Sequence, residues 1–513
     1  MENETLQITE TALDKIPFVD IFPSYTESFL SEVKKMNVSI TLMDKFHVTL
    51  LQQLSSIAEV TLQEELDFFK KNQSGDYEQF VGNTRLILEE KYPVLDLILK
   101  RTTTNYLLHI RNIFSNFSKD FNCIAETFSL NTHKNITIED IDADLGDGHS
   151  GESTALVTLS GGTKLIYKPR NIEITNAYNR FISWLNSKLN TDLKTLKYIA
   201  FEHYGWLEFA AYEPVHSSGE LKEYYYKAGI LLAAAFLLGS KDCHYENIIA
   251  CGRNPIIIDH ETIVQPVLSD LSLRTWDEQH KAPLFSVLES MLIVNKDTGS
   301  PVEYAGFGNN GSLEVMNLEK QIISPNSIDC KRDTRFIFRK LIKNNVPVYY
   351  DNPVFANDYK NYFIKGFSAA YDTFIMYREE LNSLYSPLKS FENKKIRYVW
   401  RPTFVYFRIL QYMRGASFMK SFETYSSKLY ALMSKAYQKE GTENYHFILD
   451  HEMKQMLNGD IPFFMLNSLD CHLEENSFRI FKYNSLENIQ QRLKLLSTDH
   501  KNQQIEYISK WLQ

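Results

Sequence analysis

The chain has 513 residues, 44% of them hydrophobic, and a formal net charge of −9. That much apolar material is enough for a large core in two or more lobes, which excludes a disordered protein. The negative balance excludes a chain-wide basic surface that would attract nucleic acid or anionic lipid.

The first region, residues 1–135, is predicted to be helical. Phe46 and Leu50 fall on one helical face, and Leu86 and Leu95 continue the apolar spacing. An amphipathic pattern of this length is typical of packed helices, so we expect an all-helical front piece.

The sequence shows no signal for export and no membrane span. The chain starts Met1-Glu2-Asn3-Glu4, without the basic and apolar regions of a secretory signal. Its longest apolar run, residues 228–239, is shorter than the roughly 20 residues that a bilayer requires. The cysteines are scattered and fit neither a disulfide framework nor zinc-ligand spacing. We therefore expect a cytoplasmic protein.

The second region, residues 136–240, begins with a small antiparallel sheet. Residues 154–159 and 163–168 alternate apolar and polar side chains around Gly161-Gly162, which predicts a tight hairpin. Further along, residues 178–189 have helical spacing and residues 206–212 are predicted to form a strand.

A long apolar helix is predicted to end the second region. Ser217 as N-cap and Glu220 three residues later form a capping-box pattern, and Gly239 marks the helix end. This helix leads directly to Asp242.

The third region, residues 241–420, opens with a second hairpin. Residues 247–251 and 255–258 flank a turn, which brings Asn247 and Asp259 to the same end. Helices and loops are expected from about residue 270 onward. The fourth region, residues 421–513, is predicted to be helical, with an amphipathic helix over residues 490–513.

The residues after the apolar helix are spaced as in phosphotransferases. In those enzymes an Asp, an Asn five positions later and a further Asp place a hydroxyl-activating carboxylate beside magnesium ligands. We predict Asp242 as the base, and Asn247 and Asp259 as Mg²⁺ ligands, with capping and turn formation as the alternative. His244 and Glu261 are adjacent to these residues in sequence. They could orient the predicted ligands or a second metal ion, and a purely structural role is the alternative.

Lys168 is the candidate cation for the phosphates of a nucleotide. It stands near the end of the predicted hairpin strand, after a glycine-rich segment and before the Asp242 segment. Phosphoryl transfer needs such a cation, although a lysine at a strand end is otherwise usually solvated.

The glycine-rich segment, residues 146–151, matches the pattern GxGxxG. A strand follows it where a dinucleotide-binding site requires a helix, so we predict a phosphate-covering loop between two strands, with Gly146, Gly148 and Gly151 contacting nucleotide. Asp147 places a negative charge in that loop and His149 adds an acid or base, which indicates chemistry beyond phosphate transfer.

Residues 397–403 supply two guanidinium groups and a hydroxyl ahead of an aromatic helix. Arg397 and Arg401 suit a phosphate dianion because a guanidinium group can donate paired hydrogen bonds, and Thr403 adds a hydroxyl. A surface strip of ion pairs is the alternative.

Six ordered motifs together resemble the dehydratase domain of class II lanthipeptide synthetases, over nearly the whole chain. The motifs are Asp147-x-His149-x-Gly151, Tyr167-Lys168-Pro169-Arg170, Tyr204-Gly205-Trp206-x-Glu208-Phe209, Asp242-x-His244-Tyr245-Glu246-Asn247, Ile258-Asp259-x-Glu261-Thr262 and Arg397-x-x-x-Arg401-x-Thr403. Shorter matches include Gly366-Phe367 and Gly459-Asp460-Ile461-Pro462.

The resemblance implies an α+β fold with a bilobal, lipid-kinase-like catalytic core embedded in extra, mainly helical regions. Residues 136–240 would be the N-lobe, with the small antiparallel sheet, and residues 241–420 the C-lobe. It implies ATP- and Mg²⁺-dependent phosphorylation of Ser and Thr in a precursor peptide with a leader sequence, then phosphate elimination to dehydroalanine or dehydrobutyrine. The phosphorylation half would use Lys168, Asp242, His244, Asn247, Asp259 and Glu261. The elimination half would use Asp147, His149, Arg397 and Thr403.

Three departures from the family pattern matter. Family members usually continue into a zinc-dependent cyclase domain that closes thioether rings, so we expect either a separate cyclase or a product that stays dehydrated. Glu152 stands where the family often has a basic residue. The helix predicted over residues 176–190 has no Glu to pair with Lys168, which leaves Glu208 as a candidate partner.

Two other functions stay open from the sequence. One is a peptide or small-molecule kinase that does not eliminate phosphate. The other is a catalytically silent scaffold that binds peptide. The Lys168, Asp242, Asn247 and Asp259 set argues against the scaffold, and the elimination set argues against the plain kinase.

Overall fold

The computed structural model describes residues 13–131, 133, 135–149, 151–269, 282–296, 304–308, 314–340, 344–438 and 445–513. Helices predominate, and the strands form small sheets whose described pairings are antiparallel. The predicted α+β class is therefore confirmed, whereas the lipid-kinase-like bilobal core stays a prediction.

Besides short 3₁₀ helices, the described part of the chain contains fourteen α-helices and fifteen strands. The helices are α1 Pro23–Lys35, α2 Ile40–Asn72, α3 Tyr77–Lys91, α4 Pro93–Thr127, α5 Ile174–Leu189, α6 Ser218–Leu238, α7 Lys360–Met376, α8 Arg378–Asn382, α9 Thr403–Tyr412, α10 Ala416–Met419, α11 Phe422–Met433, α12 His446–Met456, α13 Ser485–Leu495 and α14 Thr498–Trp511. The strands are β1 Ile138–His149, β2 Glu152–Leu159, β3 Lys164–Lys168, β4 Tyr198–Ala200, β5 Gly205–Glu208, β6 Ile248–Cys251, β7 Asn254–Ile257, β8 Val267–Leu268, β9 Glu314–Ile323, β10 Lys331–Lys340, β11 Val348–Tyr349, β12 Asn352–Pro353, β13 Lys395–Tyr398, β14 Phe464–Asn467 and β15 Phe481–Tyr483.

The chain divides into two compact units, and each draws on three stretches of sequence. The first unit comprises Met1–Tyr167, Met316–Phe338 and Thr403–Pro462. The second unit comprises Lys168–Val315, Arg339–Pro402 and Phe463–Gln513. Since both units are discontinuous, they do not coincide with the four predicted regions, and the assignment of those regions to lobes stays a prediction.

The front of the first unit is helical, as predicted. Leu50 on α2 and Leu95 on α4 are fully buried, and these two long helices pack together. The N-caps of α2 and α3 are Ser39 and Asp76, whose side chains accept backbone N–H groups of the first turn. The prediction for Leu86 is wrong because α3 buries its other face and leaves this side chain 84% exposed.

Strands β1, β2 and β3 form an antiparallel meander. Val157 on β2 pairs with Ile141 on β1 and with Leu165 on β3, and β2 alternates half-buried and buried residues. Gly161 and Gly162 both have positive φ angles, 94° and 85°, as a tight hairpin turn between twisted strands requires. The Gly-Gly hairpin prediction is confirmed.

Helix α6 forms the core of the second unit. The Ser217 side chain accepts the Glu220 N–H, and Gly239 ends the helix with a φ of 70°. The Glu220 carboxylate accepts from the His216 N–H, so the return bond of a capping box to Ser217 is not formed. Almost every side chain from the middle of α6 onward is buried, and the helix packs on α7.

Two boundaries differ from the sequence predictions. Strand β5 is Gly205–Glu208 and does not reach residue 212. The C-terminal amphipathic segment is two helices, α13 and α14, because Ser497 takes an extended conformation and caps α14.

Among the helices of the described residues, none combines the length and apolar character needed to cross a bilayer.

Candidate functional site

The loop after α6 holds Asp242 in an uncommon backbone conformation. Its φ angle is 60°, in the left-handed region that Asp tolerates better than most residues but at some cost. The Cys243 N–H donates to the Ser290 carbonyl at 2.9 Å, and the Thr262 hydroxyl donates to the Lys241 carbonyl at 2.7 Å. These bonds on both sides fix the direction in which Asp242 projects.

The β6–β7 hairpin brings Asn247 beside Asp242 and Asp259. The Asn247 side-chain amide donates to the Asp242 carbonyl at 2.7 Å, and the Ile258 N–H donates to the Asn247 carbonyl at 3.0 Å. The spacing of these residues in sequence therefore corresponds to proximity in space. Because the amide nitrogen of Asn247 is engaged, its Oδ1 is the atom that could ligate a cation.

Lys168 is bound by carboxylates of the segment after β7. Its Nζ lies 2.8 Å from Asp259 Oδ1 and 3.5 Å from Glu261 Oε1. Glu208, the candidate partner from the sequence, is wrong: its carboxylate lies 3.7 Å from Lys194 Nζ and accepts the Lys197 N–H. Lys168 is therefore paired with Asp259 and Glu261 and not with a residue of a helix.

Two arginines complete this cluster. Arg170 Nη1 lies 2.9 Å and Arg397 Nη1 3.9 Å from Glu261 Oε2. Both guanidinium groups also lie over the ring of Phe463, at 5.3 and 5.1 Å from its centroid. We call Lys168, Arg170, Asp259, Glu261 and Arg397 the cation–carboxylate cluster.

Strand β13 positions Arg397 in this cluster. It pairs antiparallel with β14, where Arg397 stands opposite Met465. The Arg397 N–H donates to the Glu261 carbonyl at 3.0 Å, and the Arg397 carbonyl accepts from the Gln265 amide at 2.7 Å. Main-chain bonds on both sides thus hold the arginine beside the carboxylates.

The two aspartates have pKa values displaced in opposite directions. Burial alone would raise the pKa of Asp259, but the charge and hydrogen bond of Lys168, with Arg170, lower it well below its usual range. Burial raises the pKa of Asp242, and nearby Asp259 and Glu261 add to this, while His244 and Arg397 oppose it. His244 Nε2 lies 3.7 Å from Asp242 Oδ1. Asp259 is therefore the ionised carboxylate of the two, and Asp242 binds a proton more readily.

The donor set fits a hard cation such as Mg²⁺. Asp259 offers an ionised carboxylate and Asn247 an amide oxygen, both of the oxygen type that magnesium prefers. Within the described ranges, no three His, Cys, Asp or Glu side chains are grouped to hold a metal by themselves. A magnesium ion here would therefore depend on Asn247 and on phosphate oxygens of a nucleotide.

The glycine-rich segment lies in the first unit, but the prediction of a loop over residues 146–151 is wrong, because residues 146–149 form the end of strand β1 and Gly151 directly precedes β2. Strand β1 ends at His149, which pairs with Glu152 at the start of β2. Gly146 and Gly151 have φ angles of 82° and 76°, and a Cβ at Gly151 would overlap the Asn105 side chain. A Cβ at Gly148 would meet no atom within 4 Å.

The remaining predicted residues are placed as follows. His149 is half-buried, and the side chain of Asp147 lies outside what the structure describes. Thr403 is the first residue of α9 and belongs to the first unit, whereas Arg397 belongs to the second. Glu152 accepts a hydrogen bond from Asn112 at 2.9 Å.

Comparison with known proteins identifies the family. Residues 92–467 match the model of a family described as a domain of unknown function, DUF4135. The chain belongs to this family. It is also 25% identical, over 76% of its length, to the lacticin 481/lactococcin biosynthesis protein LcnDR2 of Lactococcus lactis subsp. lactis. The chain spans 42% of that relative.

The two matches confirm the predicted relationship of this DUF4135 protein to class II lanthipeptide synthetases. Two residues were not predicted as site residues from the sequence: Arg170, which belongs to the cation–carboxylate cluster, and Phe463, whose ring lies against two of its arginines. Arg170 follows Lys168 by two positions, and this adjacency was the available signal. Phe463 is far from both arginines in sequence, so no local pattern could have indicated it.

Proposed function

We propose that the protein dehydrates Ser and Thr side chains of a ribosomally made precursor peptide, by phosphorylation followed by phosphate elimination. The observation that carries the proposal is that Asp242, Asn247 and Asp259 lie together with Lys168 and Arg397 in one unit. A base, magnesium ligands and phosphate-binding cations are the parts that phosphoryl transfer requires. A leader segment of the peptide and a separate cyclase are the partners that the family relationship suggests.

In the phosphorylation half, the hydroxyl oxygen of the peptide attacks the γ-phosphorus of ATP and the bond to ADP breaks. Asp242 accepts the hydroxyl proton, a role favoured by its raised pKa. Lys168, anchored by Asp259, neutralises phosphate charge. Asn247 and Asp259 would hold Mg²⁺, which when bound spreads the negative charge of the nucleotide phosphates.

In the elimination half, a base removes the Cα proton, its electron pair forms the Cα=Cβ bond, and the Cβ–O bond breaks to release phosphate. Arg397 binds the departing phosphate, and His149 with Asp147 transfers protons. Nη1 of Arg397 lies 3.9 Å from Glu261 Oε2, which is at the limit of an ion pair. The carboxylate therefore positions the guanidinium group but binds it only weakly, which suits a group that has to bind phosphate.

The test is mass spectrometry of a Ser/Thr-containing precursor peptide incubated with protein, ATP and Mg²⁺. Dehydration lowers the peptide mass by about 18 Da per site, whereas phosphorylation alone raises it by about 80 Da. We expect losses of about 18 Da with the wild type and no change with Asp242→Asn. An unmodified peptide, with wild type that is shown to be folded and to bind the peptide, would support the scaffold alternative instead.

A kinase that does not eliminate phosphate is the second candidate, and one observation favours it. The phosphorylation residues contact one another within the second unit: Lys168 pairs with Asp259 and Glu261, and the Asn247 amide binds the Asp242 carbonyl. Arg397→Met distinguishes the two functions. A dehydratase variant would accumulate phosphopeptide, with elimination slowed about a hundredfold or more; a kinase would show phosphopeptide already in the wild type.

A further inference from the structure

The turn after α12 has no role in the reaction described so far. It contains Gly459-Asp460-Ile461-Pro462, within the first unit. The Gly459 N–H donates to the Met456 carbonyl and the Asp460 N–H to the Gln455 carbonyl, at 3.0 and 3.1 Å, the bond pair of a Schellman motif. Gly459 has a φ of 85°, which reverses the chain and directs the next residues away from the helix.

Three hydrogen bonds connect this turn to the glycine-rich segment. The Gly151 N–H donates to Asp460 Oδ1 at 3.0 Å, and the Ile461 N–H donates to the Gly148 carbonyl at 3.4 Å. Nδ1 of His149 lies 2.7 Å from the Ile461 carbonyl oxygen. The tip of the β1–β2 hairpin is thus bound at three successive points, although its glycines offer no side chains to pack.

The bond from His149 to Ile461 determines where the ring proton resides. A carbonyl oxygen can only accept, so Nδ1 must carry hydrogen and donate it. In the neutral ring, the lone pair is then on Nε2. The same arrangement orients the histidine of a Ser-His-Asp triad, where an acceptor on Nδ1 leaves Nε2 as the base.

We propose that the turn 459–462 is a positioning element for His149, in which the Asp460 carboxylate holds the glycine-rich segment at Gly151 and the Ile461 carbonyl sets the Nδ1–H tautomer. His149 Nε2 is then the atom that accepts a proton. This inference rests on the proposed elimination chemistry for its purpose, but the tautomer and its dependence on Asp460 are properties of the protein alone. Asp460 acts through His149 and is a positioning residue.

Asp460 is suited to this role by its surroundings. Burial raises the pKa of Asp460, while the Gly151 N–H and Arg101 counteract the rise. Arg101 on α4 also donates to the Leu457 carbonyl at 3.1 Å, which ties the start of the turn to the helical front piece. The Gly151 N–H thus binds the Asp460 carboxylate directly, while Arg101 anchors the start of the turn.

The first experiment measures the tautomer directly. Protein labelled with ¹⁵N at its histidines is observed by NMR at neutral pH, and the His149 signals are assigned with His149→Gln. We expect the Nδ1–H tautomer in the wild type, a shift toward the Nε2–H form that free histidine prefers in Asp460→Ala, and wild-type signals in Asp460→Asn. Asn keeps an acceptor oxygen without the charge, and exposed Asp450→Ala on α12 is the matched control.

The second experiment isolates elimination with a synthetic phosphoserine peptide. Asp460→Ala is expected to lower kcat for phosphate release about fivefold to tenfold, the effect of one net hydrogen bond, with a smaller change in KM. Asp460→Asn is expected to restore the rate.

The outcomes distinguish the positioning role of the turn 459–462 from the proposed elimination chemistry. An unchanged His149 tautomer in Asp460→Ala overturns the positioning role, whatever the peptide shows. Equal impairment of Asp460→Asn and Asp460→Ala overturns the acceptor function of Asp460. A tautomer that shifts as expected, in a protein that releases no phosphate from the peptide, supports the positioning element and contradicts the proposed elimination.

Discussion

At the scale of single residues, Glu261 organises the cation–carboxylate cluster. Its carboxylate is 8% exposed and lies within 4 Å of the cationic atoms of Lys168, Arg170 and Arg397. Its own N–H donates to Asp259 Oδ1 at 3.3 Å. One buried carboxylate therefore sets the positions of three cations and of Asp259 beside it.

Replacing Glu261 should destabilise the protein even when the new side chain has nearly the same volume. Glu261→Gln keeps the volume but leaves three cations near a single remaining carboxylate, which we expect to cost about 3 kcal/mol. Urea unfolding measures the change. The control is Glu202→Gln, whose side chain is 86% exposed and should change stability by less than about 0.5 kcal/mol. Equal stability of both variants would contradict the organising role.

At the scale of elements, helices α6 and α7 contact each other through their backbones. A Cβ at Gly229 would overlap the Phe363 carbonyl, and a Cβ at Gly366 would overlap the Tyr226 carbonyl. The glycines thus allow a close helix crossing, and α6 in turn positions the Asp242 loop. The Gly366-Phe367 motif was noted in the sequence only because it matches the family resemblance. The structure gives a packing reason for its glycine, which allows the close approach of the two helices.

Gly229→Ala or Gly366→Ala should force the two helices apart. We expect a loss of about 2–3 kcal/mol in unfolding free energy from overpacking, together with reduced phosphoryl transfer. Gly219→Ala, in the first turn of α6 with Ser217 Oγ at 3.6 Å, is the matched control and should be near neutral. Stability equal to the control would mean that the helices can separate at no cost.

The packing of α14 on α7 should be sensitive to acid. The His500 Nδ1 lies 2.6 Å from the Tyr371 hydroxyl, and its Nε2 lies 3.2 Å from the Gln504 amide nitrogen. Burial and the charge of Arg492 lower the pKa of His500. Because the unfolded chain, with a His pKa of about 6.5, then binds the proton more readily, stability is lost as the pH falls below that value.

The measurement compares urea unfolding at about pH 7.5 and about pH 5.5, on either side of the unfolded histidine pKa. Wild type is expected to lose more stability between the two values than His500→Gln, which has no titrating ring. Equal losses in the two proteins would show that His500 does not contribute to the pH dependence.

At the scale of the whole molecule, nucleotide binding should be visible as stabilisation. A ligand at about 100 times its Kd adds roughly 2.7 kcal/mol to the native state. We expect ATP with Mg²⁺ to raise the Tm of wild type, and to raise it far less in Lys168→Met. The Tm of each variant is compared with and without ligand, so that any loss of stability from the substitution itself cancels.

Lys222→Met is the matched control for this measurement. Lys222 is exposed on α6, 5.7 Å from the ring centroid of Tyr362 and outside the cluster, so its nucleotide-dependent Tm shift should equal that of wild type. An equal shift in Lys168→Met as well would remove Lys168 from nucleotide binding.

The sequence by itself determined the local features of this protein. The Gly161-Gly162 turn, the Ser217 and Gly239 caps of α6 and the β6–β7 hairpin with Asn247 were predicted because each depends on a few neighbouring residues. Their backbone requirements are visible in the residue types.

Only the tertiary structure decided which distant groups meet. Lys168 pairs with Asp259 and Glu261, Phe463 lies against two arginines, and Asp460 binds the glycine-rich segment. Residue type alone does not show which of the many acidic and aromatic residues of the chain make these contacts. The choice among them depends on how segments far apart in sequence pack together, and no local pattern encodes that packing.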